Sequence, residues 1–81
     1  MSSSVYSREY EVFLQVLRET RKEAGLNQSD VAKGIRQTQS FISKCERGER
    51  RIDIVELRAF CRSFGLPLAE FVQRFERALR S

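Results

Sequence analysis

No histidine occurs anywhere in the 81 residues, and that absence removes the commonest general base and the commonest metal ligand together. Only two cysteines are present, Cys45 and Cys61. With no CxxC spacing between them, neither zinc nor a redox pair is expected, and both read as small buried apolar residues. The chain also lacks a phosphate-binding glycine loop, a base beside a cysteine or serine, and any cluster of metal ligands. It is therefore not read as an enzyme, and no cofactor or metal is expected. No apolar run approaches the roughly 18 residues of a membrane span. Met1 to Ser4 carry neither the basic start nor the apolar stretch of a secretion signal, which points to a cytoplasmic protein with no membrane partner. The length suits one domain over 1–81 with one modest core.

Proline appears once and glycine four times, and the glycines fall where helix ends are expected, so the chain reads as all-α, helices joined by short turns. Over 7–24, preceded by Tyr6, apolar residues recur at Tyr10, Phe13 and Leu17 with Leu14 alongside, which is one face of a helix. Gly25 supplies its left-handed stop. Asn27 caps a short second helix whose buried face is Val31, Ala32 and Ile35, with Leu26 and Val31 at the spacing of a hydrophobic staple. Thr38 caps a third helix over 39–47, closed by Gly48. Asp53 and Glu56 form a D-x-x-E capping pair that opens a fourth, with Ile52 and Leu57 as a second staple. Its apolar surface is Val55, Leu57, Phe60, Cys61 and Phe64, up to Gly65. A fifth helix over about 67–80 begins around Pro67, tolerated in a first turn, and carries a stripe of Leu68, Phe71, Val72, Phe75 and Leu79.

The net charge is +4, and residues 33–51 carry all of it: Lys33, Arg36, Lys44, Arg47, Arg50 and Arg51 stand against Glu46 and Glu49, while the rest of the chain cancels. A basic block alone is often only a solvated face. Here it coincides with two short helices joined by a tight turn at 36–38. That is the arrangement in which a helix-turn-helix, core about 27–47, holds one helix against a DNA backbone and sets the next into the major groove, polar N-terminal end first. Positive charge on the same segment suits that ligand.

The run Gly25-Leu26-Asn27-Gln28-Ser29-Asp30-Val31-Ala32, then Gln39-Ser40-Phe41-Ile42-Ser43-Lys44 and Glu46-Arg47-Gly48, resembles the Cro/phage-repressor family, also called the xenobiotic-response-element (XRE) family. The resemblance covers roughly 17–71, and it implies a five-helix lambda-repressor-like domain. It implies further that Gln28 binds a phosphate and buttresses Gln39, and that Gln39 reads a base edge, since an amide pairs bidentately with adenine. Thr38, Ser40 and Lys44 fall at other base-facing positions. Phe41 either touches a thymine methyl or packs inward, and the residues leave both open. Arg36, Ser43, Arg47, Arg50 and Arg51 fall where backbone contacts are made, which give affinity without sequence preference. Arg21 and Glu46 match a structural ion pair between the first and third helices. One position departs from the pattern: Arg36 stands where the family commonly has glycine, so either it accepts a left-handed backbone or the turn differs.

The function expected is that of a sequence-specific, double-stranded-DNA-binding transcription regulator acting as a homodimer. The two ends of the chain are expected to pack together, with Tyr6, Tyr10, Phe75 and Leu79 supplying the dimer contact. Small phage repressors, restriction-modification controllers and antitoxin-type autoregulators share this pattern. The competing reading is a protein-interaction module that keeps the fold and uses its apolar helix for a toxin or an RNA polymerase subunit. The polar set Gln28, Gln39, Ser40 and Lys44 argues against it.

Overall fold

The computed structural model describes residues 4–81, with side chains from Arg8 onward. They form five helices: α1 Ser4–Glu23, α2 Gln28–Ile35, α3 Gln39–Glu46, α4 Ile54–Phe64 and α5 Leu68–Arg80. Among the described residues there is no strand. α1 begins earlier than expected, and 4–7 contain neither proline nor glycine to break it. Pro67 stands outside the first turn of α5, not within it: its backbone is extended at φ −63° and ψ 142°. Its carbonyl accepts from the N–H groups of Glu70 and Phe71, so it serves as the cap residue, where no N–H of its own is required.

Local chemistry starts each central helix. Asn27 Oδ1 accepts from the Asp30 N–H at 2.8 Å while Asp30 Oδ2 accepts from the Asn27 N–H at 2.9 Å, a reciprocal box built with aspartate in place of the usual Glu or Gln. Thr38 Oγ1 accepts from the Phe41 N–H. Asp53 and Glu56 exchange the same pair of bonds at the start of α4. Gly48, at φ 80°, closes α3 where a Cβ would lie 3.1 Å from Leu14 Cδ1. The positive φ favours glycine there, and a Cβ would also require Leu14 to give by a few tenths of an ångström.

The core is one cluster. Leu17 of α1, Val31 of α2, Ile42 and Cys45 of α3, Phe60 and Cys61 of α4 and Phe71 of α5 are fully buried. Burial pushes the Cys61 thiol up to about 11. Two expected core positions face outward: Val55 is 74% exposed and Val72 is 41% exposed. The buried stripe of α4 runs through Leu57, Phe60 and Cys61, and a turn of about 100° per residue carries Val55 to the other side. In α5 the inward row is Leu68, Phe71, Phe75 and Ala78, spaced by three or four, and Val72 falls off it. α5 lies against α1 and α4, and α2 against α3 and α4.

Candidate nucleic-acid interface

The link between α2 and α3 is two residues beyond the cap. Arg36 is left-handed, at φ 60° and ψ 46°, and it is the one non-glycine residue with positive φ among those described. Its N–H reaches the Lys33 carbonyl, and the Gln37 N–H reaches the Ala32 carbonyl at 2.8 Å. This is a Schellman closure, with arginine at the position glycine usually fills. The turn therefore keeps its shape, and Arg36 takes the strained conformation.

That turn aims α3. Ile42, Cys45 and Glu46 face inward, which leaves Ser40 and Lys44 exposed on the opposite side, Gln39 exposed at the start of the helix and Ser43 half-buried. Thr38, also exposed, spends its hydroxyl oxygen on the cap. The hydrogen bonds made by side chains of α3 and its cap run through Thr38, Ser43 and Glu46. The first turn of α3 thus presents an amide and a hydroxyl to solvent, and its last turn presents the Lys44 ammonium. Phe41 is different: its ring is half-buried and packs against the core, beside a shallow cleft that Ile35, Gln37, Glu56 and Ala59 also line.

Behind α3, Glu46 is a hub with 3% exposure. Its carboxylate accepts from Arg21 Nε at 2.7 Å and Nη2 at 3.1 Å, and from Gln28 Nε2 at 2.9 Å. Arg21 Nη1 donates to the Leu26 carbonyl, and Arg18 Nη1 donates to the Glu46 carbonyl. Every buried polar side-chain atom among the described residues has a partner, which a charge pair removed from water requires. Gln28 is thereby held by Glu46, where a contact with Gln39 was expected. An amide nitrogen carries two N–H groups, so one donor of Gln28 is left for a phosphate. Arg18 had no role in the sequence reading, because its partner is a backbone carbonyl 28 positions away.

The arginines after α3 fall into different settings. Arg47 is paired with Glu49 at 2.8 Å and donates to the Ser43 hydroxyl, and this pairing holds the Glu49 carboxyl below its ordinary range. Arg50 makes a two-point contact with the Glu56 carboxylate, at 2.9 and 2.8 Å, and its guanidinium lies 4.7 Å from the centre of the Phe41 ring. The Glu56 carboxyl is lowered by Arg50 first and by the Asp53 N–H second. Arg51 lies 4.4 Å from the centre of the Tyr10 ring. Lys44 and Arg36 belong to none of these pairs and are exposed.

Away from this face, the α1 and α5 ends pack together through Phe13, whose ring meets Phe71 at 5.9 Å, Phe75 at 6.0 Å and Tyr10 at 5.2 Å. Tyr10 is half-buried, and its hydroxyl accepts from the Ile52 N–H at 3.1 Å. Phe75 and Leu79 are also half-buried. The Tyr6 side chain lies outside the described residues. A cavity of about 290 Å³ is lined by Tyr10, Phe13, Ile52, Ile54, Leu57 and Phe75 together with Glu9, Arg51 and Asp53; Ile54 is 61% exposed and the next residue, Val55, 74%.

Comparison with known proteins is consistent with this geometry. The helix-turn-helix family model matches residues 17–71. A solved XRE-family like protein from Pseudomonas syringae pv. tomato is 34% identical, with a TM-score of 0.85 over 91% of this chain and 90% of that one. The wild-type restriction-modification controller protein C.Esp1396I is 20% identical, with a TM-score of 0.83 over 90% of this chain and 96% of that one. The clp gene regulator ClgR from Corynebacterium glutamicum is 21% identical, with a TM-score of 0.78 over 89% of this chain and 77% of that one. The last two likenesses concern the fold alone. No curated protein matches significantly in sequence.

Proposed function

The chain belongs to the XRE helix-turn-helix family of DNA-binding transcription regulators, and from that premise we propose that it recognises a particular double-stranded DNA sequence as a homodimer, with α3 in the major groove. The observation that carries the proposal is the exposed polar surface of α3, on which Gln39 and Ser40 open the helix and Lys44 lies in its last turn, beyond a turn that keeps its shape while Arg36 takes the strain. Gln39 is the base reader, worth about 1–3 kcal/mol of discrimination when it pairs bidentately with adenine. Ser40 and Lys44 read beside it, and Thr38 sits at the helix mouth. Gln28, Arg36, Ser43, Arg47 and Arg51 lie along the flanking phosphates, with Arg47 exchanging Glu49 for phosphate on binding.

One such domain has a small interface, and a two-fold dimer supplies the specificity that it lacks alone, by placing two recognition helices about 34 Å apart. Tyr10, Phe75 and Leu79 border the dimer contact. The exposed Ile54, which lines the cavity, and its exposed chain neighbour Val55 are the surface that a second copy gains most by covering.

Selection of random duplex DNA at near-physiological salt, with sequencing of the enriched pool, tests the proposal. A two-fold symmetric motif with half-sites about one helical turn apart is the expected result. Enrichment without any motif, from protein shown to be folded, would leave only charge-driven binding and remove Gln39 from its role.

A further inference from the structure

Position after α3 assigns Arg50 to the DNA backbone along with its neighbours, but its surroundings assign it elsewhere. Both terminal nitrogens of the guanidinium are on Glu56, one oxygen each, and Nη1 also donates to the Arg51 carbonyl at 2.8 Å. The fork with which an arginine grips a phosphate is therefore already filled by a carboxylate of the same shape. The guanidinium carbon lies over the Phe41 ring at 4.7 Å from its centre, a cation–π contact that arginine makes more often than lysine. Glu56 is itself immobilised, since the same Oε1 accepts from the Asp53 N–H at 3.0 Å in the α4 cap. At the other end of this chain of contacts, Phe41 sits two residues after Gln39 on the recognition helix. Arg50 also lies beside the buried Cys45 thiol of α3 and opposes the upward push of burial on it. α4 and α3 are thus joined by a carboxylate, a guanidinium and an aromatic ring in sequence.

We propose that Arg50 is a positioning residue: clamped between the Glu56 carboxylate and the Phe41 ring, it fixes the pose of α3 in the groove and so sets base preference, instead of binding a phosphate. The proposal rests on the DNA-reading function above and names a determinant of its specificity. Glu56 is part of the same device. Its loss frees Phe41 and broadens the set of sequences accepted.

The two roles open to Arg50 give opposite results when Glu56 is changed. Glu56→Gln keeps the capping box, because glutamine serves at that position as glutamate does, while it removes the charge that holds Arg50. For wild type, Glu56→Gln and Arg50→Lys, cognate and random duplexes are titrated across a salt series, with thermal unfolding to confirm the fold. A clamp predicts that both variants lower the ratio of cognate to random affinity by about fivefold, the scale of coupling between contacting residues, with the log–log salt slope unchanged. A phosphate contact held back by Glu56 predicts that Glu56→Gln tightens both duplexes alike and steepens the slope by about 0.9. In that case Arg50→Lys keeps the wild-type ratio, since lysine also holds phosphate. That pattern, or variants indistinguishable from wild type, would overturn the proposal while leaving the DNA-reading function intact. A wild-type ratio of one would overturn both.

Discussion

Arg36 holds a left-handed backbone at φ 60°, in a closure whose two hydrogen bonds would be made equally well by glycine. The conformation costs a residue with a Cβ about 1 kcal/mol or more. Arg36→Gly should accordingly stabilise the fold by about 1 kcal/mol, read as a rise in Tm of roughly 4–8 °C. The same variant tests whether the side chain has a use that offsets the strain. If Arg36 holds a phosphate, the salt slope of DNA binding falls by about 0.9 as stability rises. A stable variant with an unchanged slope would show that the arginine is tolerated and not employed. The strain was visible in the sequence only because the family pattern has glycine there. Phe41 was the opposite case: its neighbours along the chain left both directions open, and the half-buried ring packs against the core under Arg50, 9 positions further on, which is bonded to Glu56, 15 positions further on.

At the scale of elements, helix starts were legible because a cap acts within three residues: Asn27, Thr38 and Asp53 each bond the backbone N–H three positions ahead. Interiors were less so. Val55 and Val72 are apolar, yet they lie at the margin of stripes whose width is decided by what packs opposite, and both face solvent. Which acid holds which cation of the basic segment was hidden too. Glu49 and Glu56 occupy Arg47 and Arg50, so a block that reads as a row of available cations is partly neutralised on itself. The brace of α1 against α3 depends on Glu46, whose side chain is 3% exposed opposite an Arg21 that is 10% exposed. Removing the carboxylate leaves a buried guanidinium with one carbonyl partner, a loss of about 3–5 kcal/mol. Glu46→Ala should lower Tm by more than about 10 °C in a thermal melt, and an unchanged melt would take the pair out of the account of how α3 is held.

For the whole molecule, the proposal gives the exposed surface of α3 and the apolar surface at the start of α4 different jobs, and single substitutions can separate them. Val55 is exposed and touches no other element's core, and an acid in the first turn of a helix is electrostatically favourable. Val55→Glu should therefore leave Tm within a few degrees of wild type while shifting the protein from dimer to monomer by sedimentation at tens of micromolar. Wild type sedimenting as a monomer there would remove the two-fold arrangement. The claim on which the rest depends is that α3 reads bases through Gln39. It is tested most directly by measuring Gln39→Ala and wild type against a panel of operators that differ at each base pair of a half-site. The account predicts that the variant binds the best site more weakly and loses preference at one base pair, by about 1–3 kcal/mol, while its preferences elsewhere stay as in wild type. An equal loss on every operator, with the wild-type preferences all preserved, would contradict it.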